Sequence, residues 1–244
     1  MIRTLLAGGA AVLLSLGPAT AAEFTAAQRS EIVAILRDAL RSDPSILRDA
    51  VTAMQQAERS DQAKAQGAAI LAHADALLRD PADPVLGNPR GNVTVVEFFD
   101  PRCGYCKIMA PAMAELLASD GNVRLVMKDI PVLGPNSVVA SRALLAAMRQ
   151  NKYAPFHEAL MRLRTEPTEA VLQAEAGKIG IDWARLRRDM DDPAIQARLD
   201  TNLRLAQALS VEGTPALVIG SEMVQGATDL PSLRQLVARA RAEG

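Results

Sequence analysis

The only cysteines in the chain, Cys103 and Cys106, stand at C-x-x-C spacing in Cys103-Gly104-Tyr105-Cys106. The residues around them limit what the chain can fold into. Directly before them runs Val93-Thr94-Val95-Val96-Glu97-Phe98-Phe99, a β-branched and aromatic stretch that predicts a buried strand, followed by the turn pair Asp100-Pro101. A helical pattern starts near Lys107. Two thiols at a strand-to-helix junction can form a reversible disulfide. The first thiol lies where helix N–H groups and the helix dipole favour a thiolate, the species that attacks in thiol–disulfide exchange.

Other uses of the pair fit less well. Structural zinc needs a second cysteine pair or histidines at fixed spacing. His73 and His157 are far from the motif and from each other, and are expected to be ordinary helix-surface residues. A purely structural disulfide across so short a loop would remove little chain entropy. Beside a βαβ-like pattern, C-x-x-C reads as a thioredoxin-type redox motif.

Residues 1–22 read as a secretory signal. Arg3 supplies the positive start, Leu5 to Leu16 a short apolar core, and Pro18-Ala19-Thr20-Ala21-Ala22 the small residues for cleavage. The alternative is an uncleaved anchor, for which the apolar run is short. No other stretch is apolar enough to span a bilayer, so a soluble mature protein in a bacterial periplasm is expected, where disulfides persist. An exported chain with a single vicinal cysteine pair suggests a catalyst acting on other proteins' disulfides. The net charge of -1 gives no electrostatic case for nucleic acid. With 49% hydrophobic but only 3% aromatic residues, the core must be aliphatic.

Residues 23–60 form a separate helical segment. Thr25 and Gln28 make a possible capping box ahead of Ile32, Ile35, Leu36, Ala39 and Leu40. Asp43-Pro44 opens a second helix bearing Ile46, Leu47, Ala50, Val51 and Met54. A small hairpin cannot bury such a face alone, so self-association is expected, with packing on the catalytic part as the alternative. Residues 61–90 are a helical linker and lead-in: the polar stretch Gln55–Gly67 has no apolar stripe, and turn clusters follow at Asp80–Pro84 and Gly87–Asn92. Residues 91–244 carry the catalytic domain. A second strand is predicted over Val123–Ile130, helices over about 136–209, a hairpin from Ala216-Leu217-Val218-Ile219 to Glu222-Met223-Val224, and a final helix from Leu230 to Arg241 capped by Asp229. The fold class is α/β: a thioredoxin core with a helical domain inserted between its βαβ and ββα halves.

From about Val93 onward the chain resembles the DsbA-like branch of the thioredoxin superfamily. The carrying residues are Phe98 to Cys106, Lys128-Asp129-Ile130-Pro131-Val132-Leu133-Gly134 and Gly213-Thr214-Pro215-Ala216. With the N-terminal helices added, the mature chain resembles the Com1-like and suppressor-of-copper-sensitivity C (ScsC) proteins. The resemblance implies that Cys103 attacks and that Cys106, more buried, resolves. It implies that Thr214-Pro215 is a cis-proline loop facing the sulfurs. There a backbone edge without an N–H could receive a substrate strand, lined by Thr214 and by Gly104 and Tyr105. Glu97, a carboxylate in an apolar strand, is expected to have a raised pKa and to relay a proton to or from Cys106, the alternatives being a surface-facing edge residue or one merely paired with Lys128. Lys128 is a supporting candidate as that partner.

Gly104-Tyr105 stands where a strong oxidant of the family carries Pro-His, so the thiolate lacks an imidazolium donor, although Arg102 could restore some stability. The expected function is therefore a periplasmic disulfide isomerase or reductase. It would act on misoxidised exported proteins, be kept reduced by a membrane thiol reductant of the DsbD/ScsB type, and assemble as a trimer. It needs no cofactor beyond the Cys103–Cys106 disulfide. The alternatives are a dithiol oxidase and a Cu(I)-binding copper-tolerance protein using the same sulfurs, with Met109 and Met113 expected in the core.

Overall fold

A computed structural model describes residues 24–243; the expected signal, residues 1–22, lies outside the described residues. The chain divides into a unit ending at Ala57 and a unit starting at Glu58.

In the first unit, α1 (Ala26–Ser42) opens with the anticipated capping box: Gln28 N–H donates to Thr25 Oγ1 and Thr25 N–H to Gln28 Oε1. Asp43 ends α1 through its own N–H to the Ala39 carbonyl, and its carboxylate accepts the N–H of Ser45, the first residue of α2 (Ser45–Ala72). The polar stretch after Met54 does not interrupt α2; good helix formers carry it through without an apolar stripe. No residue of α1 is buried, and Ile35, Leu36, Leu47 and Met54 are exposed.

The second unit is built on a five-stranded sheet with strand order β1-β3-β2-β4-β5. Its strands are β1 (Val85–Gly87), β2 (Val93–Phe99), β3 (Val123–Asp129), β4 (Ala216–Ile219) and β5 (Glu222–Gln225). β2 and β3 pair in parallel; the other neighbours are antiparallel. A helix, α3 (Ala74–Leu78), precedes β1. Between β2 and β3 lies α4 (Gly104–Ser119), completing a βαβ unit. After β3 come α5 (Pro135–Ala147), α6 (Tyr153–Arg162), α7 (Glu169–Lys178), α8 (Trp183–Met190) and α9 (Pro193–Ala208). The β4–β5 hairpin and α10 (Leu230–Glu243) close the chain. This is the DsbA-like thioredoxin fold, with α5 to α9 as the helical insertion.

Helix starts follow the capping residues. Thr168, Asp182 and Asp192 each accept an N–H at the start of their helix, and Pro193 occupies the first position of α9. Two local details depart from expectation. β1 was hidden among turn residues; it is an edge strand of three residues, too short for a periodic signal. Gly87 ends it at φ 70°, where a Cβ would come within 2.7 Å of the Val123 carbonyl. The motif helix begins at Gly104 rather than near Lys107, because Cys103 itself serves as the N-cap.

The central strands are buried on both faces, as parallel strands between helical layers are. Val93, Val95 and Phe99 join α4, α10 and the insertion in one core cluster. Val96 and Phe98 point the other way, to Ile70, Leu77, Leu205 and Leu209.

Candidate active site

β2 delivers the chain to the site. Its antiparallel register with β4 pairs Phe98 with Ala216, so the ends of β2 and the Thr214-Pro215 loop arrive together. Asp100, fully buried, then fixes the turn. Its Oδ1 accepts Arg102 N–H (2.7 Å) and the Ser137 hydroxyl (2.8 Å), and its Oδ2 accepts Val132 N–H (2.9 Å) and Leu133 N–H (3.0 Å). Asp100's carbonyl takes Cys103 N–H at 2.9 Å. One carboxylate thereby ties the motif loop to the loop after β3.

Both cysteines are thiols and buried. Cys103 Sγ lies 3.5 Å from Cys106 N–H, which it accepts as the cap of α4, and 3.1 Å from the Thr214 carbonyl. The Cys106 thiol is the largest influence holding Cys103 down to about 5. The Thr214 side chain and the N–H groups of Cys106 and Tyr105 add to it against the cost of burial. Cys106 moves the opposite way: donation to the Cys103 sulfur, burial and the charge of Glu97 all push its thiol up. The two thiols of the pair are thus shifted in opposite directions, Cys103 down and Cys106 up.

Glu97 is buried, and its pKa is raised to about 8 by burial first, then by the charges of Cys103 and Asp129. In the parallel register Glu97 stands opposite Met127, while Lys128 stands opposite Phe98. Side chains alternate across a sheet, so Glu97 faces α4 with the first core cluster and Lys128 faces the second. The expectation that Lys128 partners Glu97 is therefore corrected. Lys128 Nζ bonds Asp83 Oδ2 at 2.5 Å and the Ala76 carbonyl at 2.7 Å.

At the mouth, Gly104 and Tyr105 are exposed, and a Cβ on Gly104 would meet nothing. Pro215 is buried, Thr214 is half-buried and the bond between them is cis. Arg102, considered a possible support for the Cys103 thiolate, instead sends its guanidinium to the Leu133 carbonyl and to Glu166 Oε1 (2.7 Å). Met109 and Met113 are core residues of α4.

A family model for the DSBA-like thioredoxin domain matches residues 94–238, the sheet, the motif and the insertion together. The chain belongs to this family. A second model, the N-terminal domain of the copper resistance protein ScsC, matches residues 28–60. Among solved structures, a thioredoxin-like oxidoreductase from Silicibacter pomeroyi is 43% identical, with a TM-score of 0.67, over 69% of this chain and 97% of that one. Proteus mirabilis ScsC in a transitional conformation is 30% identical, with a TM-score of 0.67, over 91% of this chain and 98% of that one. The chain is also 31% identical over 176 residues to the Na(+)/H(+) antiporter NhaA 3 of Salinispora tropica, a match to 67% of this chain and 27% of the antiporter. It spans only about a quarter of the length of such antiporter relatives, and no described helix is long and apolar enough to cross a membrane.

Three residues beside the motif add to what sequence reading found. Asp129, at the end of β3, is fully buried, with a pKa raised to about 8 chiefly by burial. Tyr153 donates to Asp129 Oδ2 at 3.1 Å. His157 is not a surface residue: its ring packs edge-on to Phe99 (centroids 5.0 Å apart) and stacks on Tyr153, and burial lowers its pKa to about 4. A polar residue closing an apolar strand was the available signal for Asp129; the burial of His157 and Tyr153 depends on how α6 packs, which no local pattern encodes.

Proposed function

We propose that the protein is a disulfide isomerase or reductase of misoxidised exported proteins, working in the periplasm with residues 1–22 as its export signal. The observation that supports thiol–disulfide exchange, in either direction, is the split between Cys103, held near 5, and Cys106, pushed up beside a buried acid. The Cys103 thiolate attacks a substrate disulfide; a mixed disulfide forms and one substrate thiolate leaves. For reduction, Cys106 Sγ then attacks Cys103 Sγ, the Cys103–substrate bond breaks, and the second substrate sulfur leaves with the electron pair. The proton of Cys106 passes to the Glu97 carboxylate. Isomerisation ends instead when a substrate thiolate attacks the mixed disulfide and frees Cys103. Thr214 and Pro215 present an edge where a substrate strand can lie beside the sulfur, with no N–H at Pro215 to bind it.

The lean to isomerase or reductase rests on Gly104-Tyr105, which brings no cation to the sulfur, and on Arg102 being engaged elsewhere. It rests also on the exposed apolar stripe of α1 and α2, which we read as the contact between copies of the chain, three by resemblance. Linked active sites raise the effective thiol concentration around one scrambled substrate. This reading requires a membrane thiol reductant of the DsbD/ScsB type. A dithiol oxidase is the second reading, favoured by the low pKa of Cys103, since a stabilised thiolate makes a disulfide more oxidising.

Equilibration with glutathione decides between them. The first reading expects a reduction potential near about −180 mV, and a value near about −120 mV would establish the oxidase instead.

A further inference from the structure

Cys106 deprotonation leaves a proton on Glu97, a residue with almost no access to water, and that proton must leave the protein. The sheet register shows where. Glu97 pairs with Met127 and Phe99 with Asp129, so Glu97 and Asp129 emerge on the same face of neighbouring parallel strands, diagonally adjacent. Asp129 Oδ2 accepts the Tyr153 hydroxyl at 3.1 Å and its main-chain carbonyl accepts Asn202 Nδ2 at 3.2 Å, while its buried Oδ1 makes no close hydrogen bond, the Ser141 hydroxyl alone favouring the carboxylate from that side. A carboxylate buried this fully, with one close hydrogen bond to its two oxygens, is costly unless it holds a proton. Tyr153 in turn lines a surface cleft of about 280 Å³ shared with Asp83, Leu86, Met148 and Asn151. Tyr153 is thus the residue that touches both the Asp129 carboxylate and the cleft.

We propose that Asp129 is a second acid of the exchange site, sharing a titrating proton with Glu97, and that the Tyr153 hydroxyl joins this pair to the solvent cleft. The inference rests on the exchange reading above. Asp129 acts through Glu97 and is a positioning residue rather than one that meets the sulfurs. The charged and titratable groups around the pair are few. Cys103 and Cys106 approach from the motif, Asp100 from the turn after β2, Tyr153 and His157 from α6, and Asp83 from the lead-in to β1. None of these brings a positive charge near neutral pH, because burial keeps His157 neutral. Lys128 leaves on the opposite face.

Two interacting acids titrate as a pair, in two steps that belong to neither alone. The full mature protein, reduced, is mixed with oxidised glutathione at concentrations where formation of the Cys103–glutathione disulfide is fast. The concentration-independent phase then reports attack by Cys106. Its rate in the wild-type protein is expected to rise with pH over a broad, two-step limb. Asp129→Asn should collapse that limb to a single ionisation, about one unit lower, because the charge that raises Glu97 is gone. Asp129→Glu should restore the breadth. Tyr153→Phe removes a hydrogen bond that favours the Asp129 carboxylate, so the limb should move to higher pH. Thermal unfolding checks that each variant folds; if Asp129→Asn does not, Tyr153→Phe carries the test. A limb unchanged in the folded variants overturns the inference and leaves Glu97 as the sole acid. A wild-type protein with no such phase, or a phase that survives Cys106→Ser, would overturn the exchange reading itself.

Discussion

Glu97 and Lys128 stand one register step apart on adjacent parallel strands, yet their side chains leave the sheet on opposite faces. The carboxylate goes to the cysteine helix and stays without a cation; the ammonium goes to Asp83 beneath the lead-in segment. One residue thereby lies beside the thiols and the other ties the lead-in segment to the sheet.

Lys128→Met should cost stability and spare chemistry. It strands the buried Asp83 carboxylate, whose other cation among the described residues is Arg198 at 3.3 Å. A loss of about 3–5 kcal/mol in denaturant unfolding is expected. Exchange rates in the folded fraction should stay within about twofold of wild type, against the 10²-fold or more expected of a lost proton carrier.

Glu97→Gln should do the reverse. Resolution by Cys106 should slow by about 10²-fold at neutral pH. Because the folded-state pKa of Glu97 lies above its unfolded value, the native state holds the proton longer. Glu97 therefore makes stability fall as pH rises from about 4.5 to about 8. Urea titrations of the disulfide form, in which the thiols do not titrate and the Cys103 charge no longer raises Glu97, should show that slope ending below pH 8 and weakened in Glu97→Gln.

The two cysteines should fail differently. Cys103→Ser should abolish insulin reduction and refolding of a scrambled substrate. Cys106→Ser should accumulate mixed disulfides on Cys103, visible by non-reducing electrophoresis, since the resolving thiol is gone. Full activity in Cys103→Ser would remove the redox role.

Replacing Gly104-Tyr105 by Pro-His should make the pair more oxidising by roughly 30 mV or more. Proline suits the first position of α4 and Gly104 has open space around it, so the helix should tolerate the change. A potential unmoved on glutathione titration would show that the dipeptide does not tune the sulfur.

The α1–α2 stripe should hold copies together. Light scattering on the mature protein is expected to give an oligomer, and Ile35→Asp with Leu47→Asp a monomer that still exchanges disulfides. A monomeric wild-type protein would end that assignment.

Much of the fold was legible in the sequence because its signals are local. Val93–Phe99 announces a buried strand, and Thr25 and Asp229 announce helix starts. The two cysteines were legible as spacing, and Glu97 as a charge in an apolar run. Lys128, Asp129 and His157 were not, since the face of each depends on register or on the packing of a helix some thirty residues away. Lys128 and Asp129 are adjacent in the chain and serve opposite layers of the molecule.

The Asp100 carboxylate, with its four hydrogen bonds, grips the loop from beneath, while Gly104 and Tyr105 sit on the outside with room around them. Shape and tuning are thus written in separate residues. The two letters between the cysteines can therefore be exchanged without disturbing the mount that holds the sulfurs.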